Sequence, residues 1–285
     1  MTDEFFGPEP AGLFGVIRTE APDEKWVATT PSDLDPPPSF DATLGMTKYG
    51  MQGNAVYGNC WWAALAHVQM VQALIGSEEG HPVYVKGFKS PASDAGVEWY
   101  KVYERSQGQS TTPPGNGTGI FTGVASIAEQ KLALAAGIVR GPFTPALIRQ
   151  AIYDFDGGVT FCLALDPDAQ QEFNDHVPWG TDSTNPDAED GHAVAGAAFT
   201  PNGVTFVTWA ALEGSTDQFD LNCIDGLVLL ITHGYLLKHG ATQAESLATK
   251  WGLTIIEPLD GSESAPRGLV GRIETDIEHL IEGAA

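Results

Sequence analysis

Residues 57–67 read YGNCWWAALAH, and the chemistry open to this chain turns on Cys60. A cysteine at the first position of a helix sits at the positive end of the macrodipole, which favours thiolate and lowers its pKa. Such a thiolate is a nucleophile when a base from another element reaches it. The competing reading is a small buried hydrophobe that starts a core helix, since cysteine is among the most buried residue types. The candidate base is His192, at the head of the apolar stretch HAVAGAAFT. Gln52, eight residues before Cys60, carries an amide suited to one oxyanion hydrogen bond, with the Cys60 backbone N–H as the second donor. Trp209 follows His192 by seventeen residues, in TFVTWAA.

These side chains need elements to hold them. Asn59 is a good N-cap for a helix running from Cys60 to Gly76, with Trp61, Leu65, Val68 and Leu74 on its apolar side. Helical patterns follow at 91–105, 122–136 and 144–155. After Gly157 the period changes to that of strands: VTFCLALD (159–166), HAVAGAAFT (192–200), GVTFVTWA (203–210) and GLVLLIT (226–232). PNG at 201–203 predicts a tight antiparallel hairpin between the middle two. Residues 241–252 and 270–283 read as terminal helices. Helices first and an antiparallel sheet after them predict an α+β fold. Residues 1–38 form an extended acidic, proline-bearing arm ending in DLDPPPSF. The domain spans 39–240, with a helical lobe over about 39–156 and a sheet lobe over about 157–240, and 241–285 is a C-terminal helical extension.

The formal charge of −23 repels phosphates and anionic membranes, so neither nucleic acid nor membrane is an expected partner. No apolar run reaches transmembrane length, and the N-terminus lacks the basic and apolar regions of a secretory signal. The expected location is a bacterial cytoplasm or a virion. Cys60, Cys162 and Cys223 are widely spaced with no CxxC pair, so neither a disulfide framework nor a zinc knuckle is expected. Cys162 lies in a strand pattern and reads as core. No cofactor or metal is expected.

Taken in order, QGNAVYGNCWWAALAH resembles the Gln-Gly…Gly-x-Cys-Trp-Ala segment of papain-like cysteine peptidases. PPPSFDATLGMTKYG resembles the start of their mature chain, and GHAVAGAAF with FVTW resembles their His and Trp strands. The resemblance spans about residues 36–235, and the Cys60 to His192 separation of 132 residues agrees with the family's spacing. It implies a two-lobed fold, a helical left lobe and an antiparallel barrel-like right lobe, with Cys60 facing His192 across a cleft. It also implies Gln52 as oxyanion donor and Trp61 and Trp209 as cleft aromatics. Three departures stand out. The Gln-to-Cys gap has two extra residues, which makes Asn54 a possible substitute donor. The Asn that orients the histidine is replaced by Val207, with Thr208 next door on the opposite strand face. The arm of some 35 residues is shorter than a typical inhibitory propeptide.

Other residues have plainer readings. His67 follows Cys60 by seven residues, about 10.5 Å along a helix, too far to share its proton. Trp61 and Trp62 read as packing anchors between lobes. The acidic loop with Asp175, Asp182, Asp187, Glu189 and Asp190 lacks the spacing of a calcium loop and reads as solvated. His233 and His239 have no companion at ligand spacing. Two functions stay open. One is a peptidase or amidase acting on a peptide or protein through Cys60 and His192. The other is a catalytically silent papain-fold component of a larger assembly, such as a bacteriophage virion, since composition and motifs resemble bacteriophage and actinobacterial papain-like proteins. In either case the arm is expected to be pinned to its own domain or a neighbouring subunit through Phe5, Phe6, Phe14 and Trp26.

Overall fold

A computed structural model describes residues 16–17, 21–43, 49–75, 95–186 and 191–259. In chain order the elements are β1 (Val16–Ile17), β2 (Phe40–Asp41), α1 (Cys60–Ile75), α2 (Ala95–Ser106), β3 (Thr118–Gly119), α3 (Ile120–Gln130), β4 (Ala135–Arg140), α4 (Pro145–Asp154), β5 (Val159–Ala164), α5 (Ala169–Asp175), β6 (Gly191–Thr200), β7 (Gly203–Thr208), β8 (Ala211–Gly214), α6 (Asp217–Cys223), β9 (Ile224–Ile231), α7 (His233–Trp251) and β10 (Thr254–Ile255). Eight strands make one antiparallel sheet in the order β10-β4-β9-β5-β6-β7-β8, with β2 also paired to β6. The fold is α+β.

The central helix α1 is apolar on all sides and buried, as a helix must be when packed on every face. It lies along β6, whose residues Ala193, Ala195 and Ala197 share its core cluster and let the helix approach closely. Gln72 pins it: its Nε2 donates to the carbonyls of Phe155 at 2.9 Å and Leu230 at 3.0 Å. On the other side of the sheet, α4, α5, α6 and α7 bury Leu147, Phe173, Phe219 and Trp251 against Phe161 and Phe206. A buried side chain of this size contributes about 1.5–3 kcal/mol over an exposed one.

The predicted hairpin is present, with Thr200 opposite Gly203. Three expectations need correction. The helix foreseen over 122–136 stops at Gln130, and AAGIVR is strand β4, because six register pairs with β9 outweigh the helix propensity of its alanines. A boundary near 156 between helical and sheet lobes therefore does not hold. Nor is 241–252 the start of a separate extension: α7 begins at His233, kinks at Gly240 and buries Leu247 and Trp251 in the domain core, while β10 pairs with β4. The helix expected at 270–283 lies outside the described residues, as do Gly76, Phe5, Phe6 and Phe14.

The described part of the arm lies on its own domain. Trp26 is buried in the α1 cluster. Ala28 donates to the Ile138 carbonyl and Thr29 to that of Trp251, each at 2.9 Å, and the Asp35 amide donates to Gln150 Oε1 at 2.8 Å.

Candidate active site

Cys60 is the first residue of α1, and the Asn59 carbonyl accepts the Trp62 and Ala63 amides that start the helix. The Asn59 side chain does not cap. Its Nδ2 donates at 2.8 Å to the carbonyl of Gln52, tying that residue to the one before the thiol. Gln52 itself has φ 52°, between Gly50 (φ 70°) and Gly53 (φ 80°) on either side of Met51 and Gln52. The turn that follows closes on itself: the Asn54 amide donates to the Met51 carbonyl, and the Val56 and Tyr57 amides donate to that of Gly53, each at 3.0 Å. Gln52 is fully buried, its Oε1 accepts from the Gly96 amide at 3.4 Å, and its Nε2 has no acceptor among the described residues. A buried amide donor left unsatisfied costs about 1–3 kcal/mol, and it suits a site whose acceptor arrives with a ligand. The Asn54 side chain is used locally, its Nδ2 donating to the Tyr57 carbonyl at 3.2 Å.

His67 holds the same loop from α1. Its Nε2 donates to the Gly50 carbonyl at 2.9 Å, and burial pushes its pKa down to about 4. It is a core histidine with a backbone partner.

His192 is the second residue of β6 and is buried. Its Nε2 lies 3.0 Å from Thr208 Oγ1. Trp209, the next residue, stacks on the imidazole with ring centroids 4.8 Å apart and planes inclined by 26°. The residue on His192's face is Thr208 rather than Val207 because of the hairpin register. Counted without interruption from the Pro201–Asn202 turn, the pairing would set Val207 opposite Gly196, on the face of His192. The register shifts by one between Gly196 and Ala198, so Val207 lies opposite Ala195. A one-residue slip exchanges the two faces of a strand. Val207 then packs into the α1 cluster and Thr208 reaches the histidine.

Trp209 and Ala210 form the two-residue loop between β7 and β8, both at positive φ (41° and 64°). That is the backbone of a tight hairpin turn, and a non-glycine residue there costs on the order of 1–3 kcal/mol. The Trp209 ring is buttressed by Phe173 at 4.8 Å and Trp179 at 5.8 Å, each edge to face. Trp179 is anchored by its Nε1, which donates to the Ala169 carbonyl at 2.9 Å.

Burial drives the His192 pKa down to about 3, so the imidazole is neutral in this closed arrangement. Cys60 shares a core cluster with Cys162 and Ala193, the latter adjacent to His192. Burial first, and then the charge that Cys60 and Asp225 would carry, hold the Cys162 thiol well above the ordinary range. Trp61 is buried against Gly123 of α3, where an added Cβ would fall 2.7 Å from its ring, and Trp62 Nε1 donates to Thr118 Oγ1 at 2.9 Å.

The acidic loop works on its own backbone. Glu172 accepts the Gly180 and Asp182 amides at 2.8 and 2.6 Å, and Asp166 accepts the Ser183 hydroxyl at 2.6 Å. Asp187, Glu189 and Asp190 lie outside the described residues. His239 pairs with Asp156, and His233 lies 4.0 Å from Glu257. Among the described residues no group of three or more His, Cys, Asp or Glu is placed to hold a metal ion, and no helix is long and apolar enough to cross a membrane.

Asn59 escaped sequence reasoning as a tether, because its type and place read equally well as an N-cap. The register shift that selects Thr208 carries no residue signal, lying within Ala-Gly-Ala-Ala.

No protein-family model matches the chain, and no curated protein matches it. Among solved structures it is similar to xylellain, a cysteine protease from Xylella fastidiosa, at 15% identity and a TM-score of 0.42, over 77% of this chain and 96% of that one.

Proposed function

We propose that the chain is a papain-like cysteine peptidase or amidase. The observation that carries this reading is the Thr208–His192 hydrogen bond beneath Trp209, which fixes the imidazole through Nε2 although Val207 stands at the expected orienting position. With Nε2 engaged, Nδ1 is the nitrogen that takes the Cys60 thiol proton. The thiolate then attacks the carbonyl carbon of a peptide or amide. Gln52 Nε2 and the Cys60 backbone N–H donate to the oxyanion that forms. The tetrahedral species collapses, the carbon–nitrogen bond breaks, and His192 gives its proton to the departing amine. A water deprotonated by His192 attacks the thioester, and the thiol leaves with the carboxylic acid as product.

The test compares Cys60 alkylation by a thiol-directed epoxide at about pH 6 and about pH 9, read by mass spectrometry. An ordinary thiol loses several hundredfold in rate between the two, following its thiolate fraction. An activated Cys60 should lose less than about tenfold, and His192→Ala should restore the ordinary dependence. An ordinary ratio in the unaltered protein overturns the proposal.

One observation favours a second reading, a silent papain-fold binding component. Cys60 and His192 are 0% and 1% exposed, as a packed core pair would be. In that reading the chain serves an assembly such as a virion, and Cys60 shows the pH dependence of an ordinary buried thiol.

A further inference from the structure

Two buried carboxyls, Glu172 of α5 and Glu213 of β8, bracket the segment that backs Trp209. From one side Glu172 accepts the Gly180 and Asp182 amides. On the other side the segment is laid along the end of β8. The Trp179 amide donates at 2.9 Å to the carbonyl of Gly214, the neighbour of Glu213, and the Thr216 amide donates at 3.0 Å to that of Trp179. Gly180, at φ 82°, is pressed onto α6: an added Cβ would fall 2.6 Å from Phe219 Cβ and from Thr216 Oγ1. From this segment to the histidine the contacts are aromatic. The Trp179 ring meets Trp209 at 5.8 Å, Phe173, the residue after Glu172, meets it at 4.8 Å, and Trp209 stacks on His192.

Burial, and then the charge of Glu172, raise the Glu213 pKa to about 8, while a hydrogen bond with the Trp179 backbone lowers it. The groups around it are engaged elsewhere or face water. Phe206 lies opposite Glu213 on β7 and is apolar. On α6, Asp220 accepts the Ser215 hydroxyl at 2.6 Å and Asp217 pairs with Arg149 at 2.6 Å. Asp175, His176 and Asp182 are exposed. A neutral Glu213 can sit beside a buried carboxylate. Two buried like charges repel, so an ionised Glu213 drives α5 and β8 apart.

We infer that Glu213 is a positioning residue for His192: its neutral carboxyl lets α5 and the segment around Trp179 close on β8 and press Trp209 onto the imidazole, and its ionisation opens that contact. Its bearing on a reaction rests on the catalytic reading above, but its test needs no catalysis. Hydrogen exchange is followed by NMR in the full-length protein at the Trp179 Nε1–H, which donates to the Ala169 carbonyl, and at the His192 Nε2–H. Hydroxide catalysis alone raises exchange about tenfold per pH unit. An opening that solvates Glu213 also releases its proton. From about pH 6 to 8 both sites should therefore gain about fiftyfold beyond hydroxide, and from about pH 8 to 9 no more than about twofold. Glu213→Gln keeps the neutral shape and removes the titration, so both sites should then follow hydroxide alone to within about threefold.

The Val71 amide, in the buried interior of α1, reports opening of the whole molecule. In sub-denaturing urea the Trp179 and His192 sites should exchange faster than Val71 and with a weaker dependence on urea, as a local opening does. Exchange of both sites in step with Val71 overturns the inference, and so does an undiminished pH dependence in Glu213→Gln. If Trp179 gains the extra exchange and His192 does not, Glu213 is purely structural and the inference falls as well. The expected exchange in a protein whose Cys60 keeps the pH dependence of an ordinary thiol upholds the role of Glu213 and overturns the peptidase reading instead.

Discussion

Thr208 Oγ1 lies 3.0 Å from His192 Nε2, on the same face of the sheet, while the Trp209 ring covers the imidazole. A hydroxyl accepting from Nε2–H selects the tautomer whose Nδ1 carries the lone pair, which is the form a general base needs. Thr208→Val keeps the shape and removes the acceptor. It is expected to lower Cys60 reactivity at about pH 6 by roughly tenfold to a hundredfold, the order that losing a histidine's orienting partner costs at metal sites. Thr208→Ser should restore it. A merely structural hydroxyl would change the melting temperature in Thr208→Val without changing the pH profile of labelling.

Val207→Asn installs the residue that the papain-like resemblance leads one to expect two positions before this tryptophan. Here it should not help. Val207 is fully buried opposite Ala195, in the cluster against α1, so an amide there loses water and gains no imidazole. The expected result is a destabilisation of about 1–3 kcal/mol with no gain in peptide hydrolysis. Hydrolysis that rises in Val207→Asn would show that the register shift near Ala197 is wrong.

In the proposed reaction Gln52 donates to the oxyanion and takes no part in activating the thiol. Its Nε2 is buried and has no acceptor among the described residues, while its carbonyl is held by Asn59. Gln52→Ala should lower turnover of a peptide by roughly 10²–10³-fold, the usual cost of one oxyanion donor. Epoxide labelling of Cys60, which builds no tetrahedral oxyanion, should stay within about threefold of the unaltered protein. Equal losses in both assays would make Gln52 a structural residue.

The hairpin was legible because PNG and the flanking alternation are local signals, and α1 because its apolar run starts after Asn59 and continues for four turns. β4 was not legible. Ala135 and Ala136 favour helix, and only pairing with β9, almost a hundred residues later, makes them strand. The candidate site divides along the same line. Cys60, His192 and Gln52 could be named from residue type and order, but the choice between Val207 and Thr208 hangs on a one-residue register shift among small residues. β1 is two residues long, too short for any periodicity to mark it.

The last expectation concerns stability against pH, where two pairs of buried groups oppose each other. His192 and His67 have folded pKa values lowered to about 3 and about 4 by burial. Below about pH 6.5 the unfolded chain takes up protons that the folded chain refuses, so these histidines reduce stability as pH falls. Glu213 is raised to about 8, by burial and then by Glu172, and Asp220 to about 7, by burial against the hydrogen bond from Ser215. Above about pH 4 the folded chain keeps protons that the unfolded chain has lost, so these carboxyls reduce stability as pH rises. Between about pH 4.5 and 6.5 the two pairs cancel, and stability should be flat. From about pH 6.5 to 8 the carboxyls act alone, and about 2–3 kcal/mol should be lost, on the order of 5–10 °C in Tm. Glu213→Gln should remove most of that alkaline fall, leaving less than about 1 kcal/mol from Asp220. Thermal melts at half-unit pH steps decide the matter: an alkaline fall of undiminished size in Glu213→Gln would mean that Glu213 is ionised in the folded protein.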